Sequence, residues 1–536
     1  MAAALEEDNF DGAAEATDVG TTETAPSPVP ADKPVRNRGL ITVSVMLATL
    51  MQALDTTIAN VALPHMQGAL AGTQDEMGWV LTSYIVAAAI AIPLAGWLAG
   101  EFGRRRVFLI SILVFTVASA LCGLAESVPE IVLLRFLQGV GGAALMPLSQ
   151  AVLFDINSPK DFGRAMSVWG LGVTMGPIVG PALGGWLTED YSWRWVFYIN
   201  LPIGVLAFAG LFFSLPESRN ARSSHFDFLG FGSLSLAIAS LQIMLDRGQL
   251  LDWFSSREII LEATIAITAF YVFVVHTLTY PKPFINTALF KDRNFVASNV
   301  FIFMIGIVLF ATLALLPPLL QNQLQYPVIL TGLVTAPRGV GVLVAMLIVG
   351  QLVARLDGRI ILAVGLALTA YSLWQMTQFS LQMDTWPVLT SGVTQGLGMG
   401  FVWVTLSTVA FTTLPAALRN EGTTLFNLVR NVGSSVGISV VIFLLTQNTQ
   451  RLHASLAEHI TSYNTVSNPA ALAAHVDAAS PRGLAALNAM ITDQAMMVAY
   501  LDDFWIMMVM TLAAIPFLLV IKGASPPGGE RKAVLE

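Results

Sequence analysis

An acidic residue, Asp55, stands midway along the first long apolar run of the chain, in the stretch LDTTIANVALP at residues 54–64. If that run crosses a membrane, a buried ionisable group is costly and marks an ion or substrate path. Burial penalises the charged form of a carboxyl, and a nearby arginine stabilises it. A carboxyl held between these two effects can load and release a proton, so we predict that Asp55 is a proton carrier. The alternative is a carboxylate that only caps neighbouring hydroxyls and amides.

Arg135 opens a second such stretch, RFLQGVGG at residues 135–142, early in the fourth apolar run. On a helix Arg135, Gln138 and Gly142 share one face, and the glycines allow a neighbouring helix to approach closely. An inward-facing Arg135 would be the positive charge that tunes Asp55, and the two residues together would couple transport to protons. The alternative is an arginine that snorkels to the inner membrane interface.

Two further arginines lie inside apolar runs. Arg338 follows Pro337 in the tenth run, and Arg430 stands within NLVRN at residues 427–431. For both, snorkelling is an equal alternative. Glu262 and His276 lie in the eighth run without an evident partner. The residues that we expect to contact substrate or to take part in coupling are Thr56, Asn60, Gln138, Arg338, Asn427, Arg430 and Asn431.

Glycines recur every fourth residue in the fifth run, which reads GVTMGPIVGPALGG at residues 172–185. Small residues let helices approach closely, and each proline removes a backbone donor. The pattern predicts a bare, bent helix face suited to a sliding or rocking seam. The residues of this face are Gly172, Gly176, Pro177, Gly180, Pro181, Gly184 and Gly185.

The elements that must position these residues are apolar helices. The chain of 536 residues is 55% hydrophobic and only 12% charged, about half the charged share of a soluble domain. Fourteen apolar runs lie between residues 39 and 521, and roughly 20 residues suffice to cross a bilayer. Lipid tolerates only helices or closed barrels, and barrels show weak ten-residue alternation instead. We therefore predict an all-α polytopic membrane protein with fourteen transmembrane helices.

The distribution of lysine and arginine predicts how these helices are oriented. With fourteen spans and both termini on one side, that side collects nineteen of the 27 basic residues, and the other side has five. Short cytoplasmic loops carry the excess of positive charge, so both termini are predicted to be cytoplasmic. Trp79, Trp253 and Trp386 fall at the opposite, outer ends, as expected for interfacial aromatic side chains.

A repeated loop indicates how the helices group. GWLAGEFGRR at 96–105 joins the second and third runs, and GQLVARLDGR at 350–359 joins the tenth and eleventh. The shift of eight helices favours six plus two plus six, and repeated halves around a midplane site are typical of secondary transporters. The predicted domains are a disordered tail at 1–38, a six-helix bundle at 39–220, two inserted helices with linkers at 221–290, a second six-helix bundle at 291–522 with an outer loop at 448–502, and a cytoplasmic tail at 523–536.

Several classes of function lack the residues that they need. Cys122 is the only cysteine, which excludes an intramolecular disulfide and a cysteine-based metal cluster. The sequence has no Gly-Lys-Ser/Thr phosphate loop, so ATP does not drive this chain directly. It has no recognisable nucleophile–base–orienter set and no basic domain to hold nucleic acid. We therefore expect no enzyme activity, no cofactor and no bound metal.

Together these stretches resemble the major facilitator superfamily, specifically its fourteen-span drug:proton antiporters of the EmrB/QacA type, over about residues 39–522. The Asp55 stretch, residues 135–142 and above all residues 172–185 are similar to family signatures, as are WRWVFYINLP at 193–202 and RNEGT at 419–423. The resemblance implies the major facilitator fold in the cytoplasmic (inner) membrane. It also implies export of small amphipathic compounds, driven by inward proton flow.

Members of the EmrB type are associated with a periplasmic adaptor and an outer-membrane channel, so both are expected partners here. The alternative functions are a specific metabolite exporter, a proton-coupled importer of the same fold, and a non-transporting membrane scaffold. The similarity of the fifth span to the antiporter signature of the family argues against import. The direction of substrate movement in vesicles would separate export from import.

The loop after the second span departs from the family pattern. The family carries Asp then Arg before Phe-Gly, whereas this chain has Gly100 and Glu101. The carboxylate that braces the cytoplasmic gate is therefore missing, unless Glu101 replaces it one residue further on. Besides the residues of the fifth span, those assigned to gating and helix packing are Gly96, Gly103, Arg104 and Arg105.

Overall fold

The computed structural model of the chain describes residues 37–158, 161–216, 226–353, 355–458 and 480–521. The predicted tail at 1–38 lies outside these ranges except for its last two residues, and the predicted tail at 523–536 lies outside them entirely. Every regular element within the described ranges is helical. The all-α fold class is therefore confirmed.

Within the described ranges, fourteen helices are long and apolar enough to cross a membrane, which confirms the predicted spans. They are α1 (Arg38–Leu70), α2 (Glu76–Phe102), α3 (Arg104–Cys122), α4 (Val128–Ile156), α5 (Phe162–Asp190), α6 (Trp195–Ser214), α7 (Phe228–Arg247), α8 (Arg257–Thr279), α9 (Arg293–Gln323), α10 (Leu330–Leu352), α11 (Gly358–Met376), α12 (Trp386–Thr412), α13 (Arg419–Glu458) and α14 (Pro481–Val520). We call the end of the bundle at which α1 begins and α14 ends the inner end, and the opposite end the outer end.

The helices pack in two sets that repeat each other. In the first set α1 packs on α5, α2 and α3 pack on α4, and α3 packs on α6. Eight helices later the same pairs recur, because α9 packs on α13, α10 and α11 pack on α12, and α11 packs on α14. We call α1–α6 the first half and α9–α14 the second half. The domain boundaries given above stay a prediction.

The inserted pair, α7 and α8, lies against the side of both halves. Its apolar contact surface joins Ile92 of α2, Leu234 and Ile238 of α7, Phe273 of α8 and Leu428 of α13. Leu234 and Ile238 are one helical turn apart and therefore lie on one face of α7. The pair covers the seam between the two halves at this side and contributes no residue to the ionic site described below.

The predicted outer loop at 448–502 is helical in its described parts. Helix α13 continues to Glu458 and α14 begins at Pro481, and each spans 40 residues, about twice what a bilayer needs. His453 of α13 lies 3.0 Å from Asn488 of α14, between Nε2 and Oδ1. The two helices therefore project together beyond the outer end. Residues 459–479 lie outside the described residues.

Candidate proton-coupling and substrate site

Asp55 of α1 lies at the centre of a buried polar cluster in the first half. Its Oδ2 accepts a hydrogen bond from Nη1 of Arg135 at 2.7 Å. Its Oδ1 accepts from Nε2 of Gln138 at 2.8 Å and from Nδ2 of Asn200 at 3.0 Å. Asp55 and Arg135 are each only 1% exposed. The carboxylate thus accepts three hydrogen bonds, two from α4 and one from α6, of the roughly four that it can accept.

The guanidinium of Arg135 is fixed from several sides. Its Nε donates to the carbonyl oxygen of Val80 at 3.2 Å, and Nη1 also donates to Oε1 of Gln138 at 2.9 Å. The ring of Tyr84 lies 4.4 Å from the guanidinium carbon, a cation–π contact. Gly139 makes this arrangement possible, because a Cβ at that position would collide with the carbonyl oxygen of Tyr84.

This geometry decides between the interpretations of Arg135. The side chain does not snorkel, so that alternative is wrong, and the structure shows the contact with Asp55 that the proton-carrier hypothesis requires. Loss of either partner of a buried ion pair leaves an uncompensated charge.

One face of α1 changes from buried to exposed along the helix. Val45 and Thr49 are fully buried, whereas Thr56 and Asn60 on the same face, two to four turns further along, are exposed. Residues seven apart share a helix face. The side chains on this face of α1 are therefore buried before Asp55 and exposed after it. Thr56 and Asn60 are therefore the exposed polar residues of α1 nearest to Asp55 on the side of the outer end.

Contacts between the two halves concentrate at the inner end. The rings of Trp169 and Trp403 stack with centroids 6.2 Å apart. Nδ2 of Asn427 donates to Oε1 of Gln150 at 3.1 Å. A Cβ at Gly163 would lie 3.4 Å from the Cβ of Val353. These contacts join the two halves at the inner end.

The predicted gate residues lie at this inner contact between the two halves. A Cβ at Gly96 would lie 2.9 Å from Oγ1 of Thr424 in α13, and a Cβ at Gly350, the repeat counterpart, would lie 2.7 Å from Oγ of Ser167 in α5. Each repeated glycine therefore packs against the opposite half. Gly103 has a φ of 89°, which favours glycine and allows the sharp turn from α2 to α3.

The two gate arginines bond within their own half. Arg104 forms an ion pair with Asp155 of α4, and Nη2 of Arg105 donates to the carbonyl oxygen of Phe212 at 2.5 Å. Asp155 is thus the carboxylate partner of Arg104. A second carboxylate, Glu421 of α13, lies beside Gly96, whose Cβ would be 3.4 Å from the Cα of Glu421. Neither carboxylate comes from the loop that carries Gly100.

The glycine face of α5 packs against α1 and not against the second half. A Cβ at Gly176 would collide with Ala53, and one at Gly180 would collide with Thr57. Gly172 and Gly184 also face α1, at Met46 and Ile58. Gly185 is an exception, since a Cβ there would meet nothing within 4 Å. Pro181 is half-buried, and the side chain of Pro177 lies outside the description. The seam therefore joins α5 to the helix that carries Asp55.

The remaining predicted site residues lie either on the exposed part of α1 or in the second half. Thr56 and Asn60 bond only within α1, Thr56 to the carbonyl oxygen of Ala53 at 3.0 Å. Arg338 is buried, and no hydrogen bond or ion pair of its guanidinium is seen in the described ranges. Arg430 is buried, so snorkelling is wrong for both arginines.

Arg430 and its neighbours belong to the closed inner contact. Nη2 of Arg430 donates to Oδ1 of Asn431 at 3.0 Å and lies 3.3 Å from Sδ of Met146 in the first half. Its guanidinium carbon lies 5.3 Å from the ring of Trp403. Asn427 bonds Gln150 across the same contact. In this conformation these residues hold the halves together.

Sequence reasoning missed several of the polar contacts. Asn200 was not among the predicted site residues, although it bonds both Asp55 and Ser119, the latter at 3.0 Å. It also left His276 without a partner, which is wrong, since Nε2 of His276 lies 2.8 Å from Oδ1 of Asp227. The available signal was in each case a polar side chain at the edge of an apolar run.

The comparisons with known proteins agree with this architecture. Residues 45–438 match the family model described as the Major Facilitator Superfamily. The chain is 34% identical over 496 residues to "Multidrug export protein EmrB" of Haemophilus influenzae, covering 91% of this chain and 96% of that protein. It is 36% identical over 441 residues to the Escherichia coli K12 protein of the same name, covering 81% and 85%. It is 32% identical over 491 residues to "Fatty acid resistance protein FarB" of Neisseria gonorrhoeae, covering 91% and 97%.

Solved structures share the fold at low sequence identity. The proton:xylose symporter XylE matches with a TM-score of 0.59 and 15% identity, over 91% of this chain and 96% of that one. The human organic anion transporter MFSD10 matches with a TM-score of 0.56 and 14% identity, over 90% of this chain and 100% of that one. With the family match and the close relatives, these findings mean that the chain belongs to the major facilitator superfamily, as a multi-pass membrane transporter of the EmrB type and not an enzyme.

Proposed function

We propose that this transporter exports small amphipathic compounds and is driven by protons that move inward through Asp55. Relatives named for multidrug export support the direction and the broad substrate class. The single observation that carries the coupling is the buried Asp55–Arg135 pair, which lies one residue from the exposed Thr56. The proposal needs no cofactor or metal, because the proton gradient supplies the driving force.

The proposed cycle follows from the closed inner end and the open outer end. In the outward-facing conformation Asp55 is paired and the space beside Thr56 and Asn60 opens outward. Uptake of a proton by Asp55 neutralises the carboxylate and removes its hold on Arg135. The released arginine loosens the packing of α1 against α4, and the halves rearrange to open inward. Substrate binding on the inner side then displaces the proton.

The substrate is proposed to bind between the two halves, beside Thr56 and Asn60. Broad recognition of amphipathic compounds requires apolar walls with few polar anchors. The name of FarB, a fatty acid resistance protein, supports the inclusion of amphipathic acids in a substrate panel. The buried Arg338 and Arg430 would favour an acid over a cation once the inner contact opens.

The proposed location is the cytoplasmic (inner) membrane with both termini in the cytoplasm. The excess of lysine and arginine at the inner end supports this orientation. A periplasmic adaptor and an outer-membrane channel are proposed partners, and the paired outer extensions of α13 and α14 are the proposed contact surface. The contact between His453 and Asn488, which joins the two extensions, supports this choice of surface.

An experiment on inverted vesicles tests the transport function. Vesicles with the wild-type chain should take up fluorescent amphipathic dyes when the interior is made acidic, and collapse of the gradient should stop uptake. Replacing 455–490 with a short polar linker should spare this uptake and weaken whole-cell resistance, since only the adaptor contact is lost. Equal loss in both assays would place the outer extensions in the transport core, and no gradient-driven uptake by the wild type would refute proton-coupled export.

A further inference from the structure

A short motif in α4 recurs in α12, eight helices later. Gln138-Gly139-Val-Gly corresponds to Gln395-Gly396-Leu-Gly. The structure gives both copies the same surroundings. A Cβ at Gly139 would collide with the carbonyl oxygen of Tyr84 in α2, and a Cβ at Gly396 would collide with that of Arg338 in α10. The motif therefore packs in the same way on the second helix of each half, α2 in the first and α10 in the second.

The glutamine of each motif also donates a hydrogen bond to the first helix of its own half. Gln138 donates to Asp55 of α1, and Nε2 of Gln395 donates to Oγ1 of Thr312 in α9 at 3.2 Å. The second half thus has the hydroxyl of Thr312 where the first half has the carboxylate of Asp55. The sixth helices differ the other way round, because α6 carries the amide Asn200 whereas α14 carries the carboxyl Asp503 near the middle of its length.

Asp503 is 0% exposed, and both of its carboxyl oxygens lack a hydrogen-bond partner. Apolar side chains pack beside it. The adjacent Phe504 packs on Phe379 with ring centroids 6.1 Å apart, and Met507, one turn on, lies 4.0 Å from Thr312. A buried carboxylate without a partner is far more costly than a buried neutral carboxylic acid.

No cation compensates this carboxyl within the described ranges. The groups that act on it electrostatically are Asp502 and Tyr500 of its own helix. Helix α14 packs on α9, α11 and α13, and no titratable side chain of these three helices forms an ion pair or hydrogen bond with Asp503. Those side chains are Arg293, Arg359, Tyr371, Arg419, Glu421, Arg430, Arg451, His453 and Glu458.

We propose that Asp503 is a second proton-binding carboxyl of the transport cycle, loaded in this outward-facing conformation while Asp55 is paired with Arg135. The inference rests on the proposed proton coupling and extends it to the second half. The step is a simple proton exchange, in which one carboxyl oxygen gains a proton from the outer side. The same proton leaves when rearrangement of the halves exposes the carboxyl to the inner side.

Infrared difference spectroscopy during a pH titration tests this assignment with protons alone. The protein would be purified and reconstituted in lipid, and the protonated carboxyl band followed. Asp503→Asn should remove one titrating component, and the matched change Asp502→Asn, at a half-buried neighbour, should leave it. An unchanged band in Asp503→Asn, or a component that never titrates over the working range of the transporter, would overturn the proposal.

A transport measurement gives a second readout. Each coupled proton multiplies the limiting substrate gradient by about tenfold per unit of imposed pH gradient. Asp503→Asn should therefore lower the limiting dye gradient in vesicles about tenfold per pH unit, with downhill dye movement kept. If Asp503→Asn fails to insert, Asp503→Glu should insert and retain the wild-type gradient. A wild-type gradient in the inserted Asn variant would refute the second carrier.

The two proposals fail in different ways. If proton coupling itself is wrong, the wild-type chain shows no gradient-driven uptake, whereas the infrared titration of Asp503 is still measured. If only the assignment of Asp503 is wrong, gradient-driven uptake remains in the wild type and is lost in Asp55→Asn, and the limiting gradient of Asp503→Asn equals that of the wild type.

Discussion

Oδ2 of Asp55 and Nη1 of Arg135 lie 2.7 Å apart, between helices that are eighty residues distant along the chain. Both side chains are buried, and the guanidinium also contacts Tyr84 and the carbonyl oxygen of Val80. Loss of this ion pair would therefore disturb contacts of α1, α2 and α4 at once. One buried side-chain contact thus joins three helices of the first half.

Removal of the positive charge should change the pH dependence of transport. In Arg135→Ala the buried carboxylate of Asp55 loses its cation partner, and a buried charge without a partner is costly. We expect the pH profile of dye uptake to move toward alkaline values.

Gln138→Ala is the matched control for this change. It removes a neutral donor at 2.8 Å and leaves the cation, so its shift should be in the same direction and smaller. A pH profile of Arg135→Ala that coincides with the wild type, in protein that is correctly inserted, would contradict the account of the pair.

The glycine seam offers a second test with an internal control. Leucine at Gly180 would collide with Thr57 of α1, whereas the space beside Gly185 is open. Overpacking typically costs about 1–3 kcal/mol. Gly180→Leu should abolish dye uptake in protein that still inserts, and Gly185→Leu should transport normally. Similar activity of the two variants would show that close packing of α5 on α1 is not required.

The inner closure can be locked by a disulfide. The Cβ positions of residues 163 and 353 lie 3.4 Å apart, close to the roughly 3.8 Å of a disulfide. Gly163→Cys with Val353→Cys should cross-link on oxidation, hold the outward-facing conformation and stop uptake, and a reductant should restore it. Each single variant is a control. Full uptake by the cross-linked protein would mean that the halves do not separate at the inner end.

The orientation is checked by labelling intact cells with a membrane-impermeant maleimide. Ala454→Cys, on the outer extension of α13, should react from outside, and Arg355→Cys, at the inner end, should react only after the cells are opened. Both positions are exposed, so accessibility of the side chain is matched. The reverse pattern would contradict the predicted topology.

Much of the fold could be predicted from the sequence because lipid imposes simple rules. Apolar length defines each span, and the repeated loops at 96–105 and 350–359 reveal the repeated halves. The site was harder. Asp55 and Arg135 were recognisable as charges inside apolar runs, but their contact depends on how α1 packs on α4, which a single sequence does not specify.

Other parts could not be predicted because their partners are distant in the chain. Asp155 pairs with Arg104 from a position 51 residues away, so the missing loop carboxylate gave no clue to its replacement. The glycine face of α5 was recognisable, whereas its packing against α1 was not. Asp503 was overlooked because it lies at the edge of the last apolar run, where a charge is ordinarily solvated.

The most direct measurement of the central claim is gradient-driven dye uptake by Asp55→Asn in inverted vesicles, with equilibrium dye binding measured on the same protein. Asparagine keeps the shape and a hydrogen-bonding group but cannot cycle a proton. The account predicts that uptake driven by the pH gradient is lost and that dye binding remains. Full gradient-driven uptake by the Asn variant would remove Asp55 from the proton path, and loss of binding together with uptake would make it a structural or substrate-contact residue.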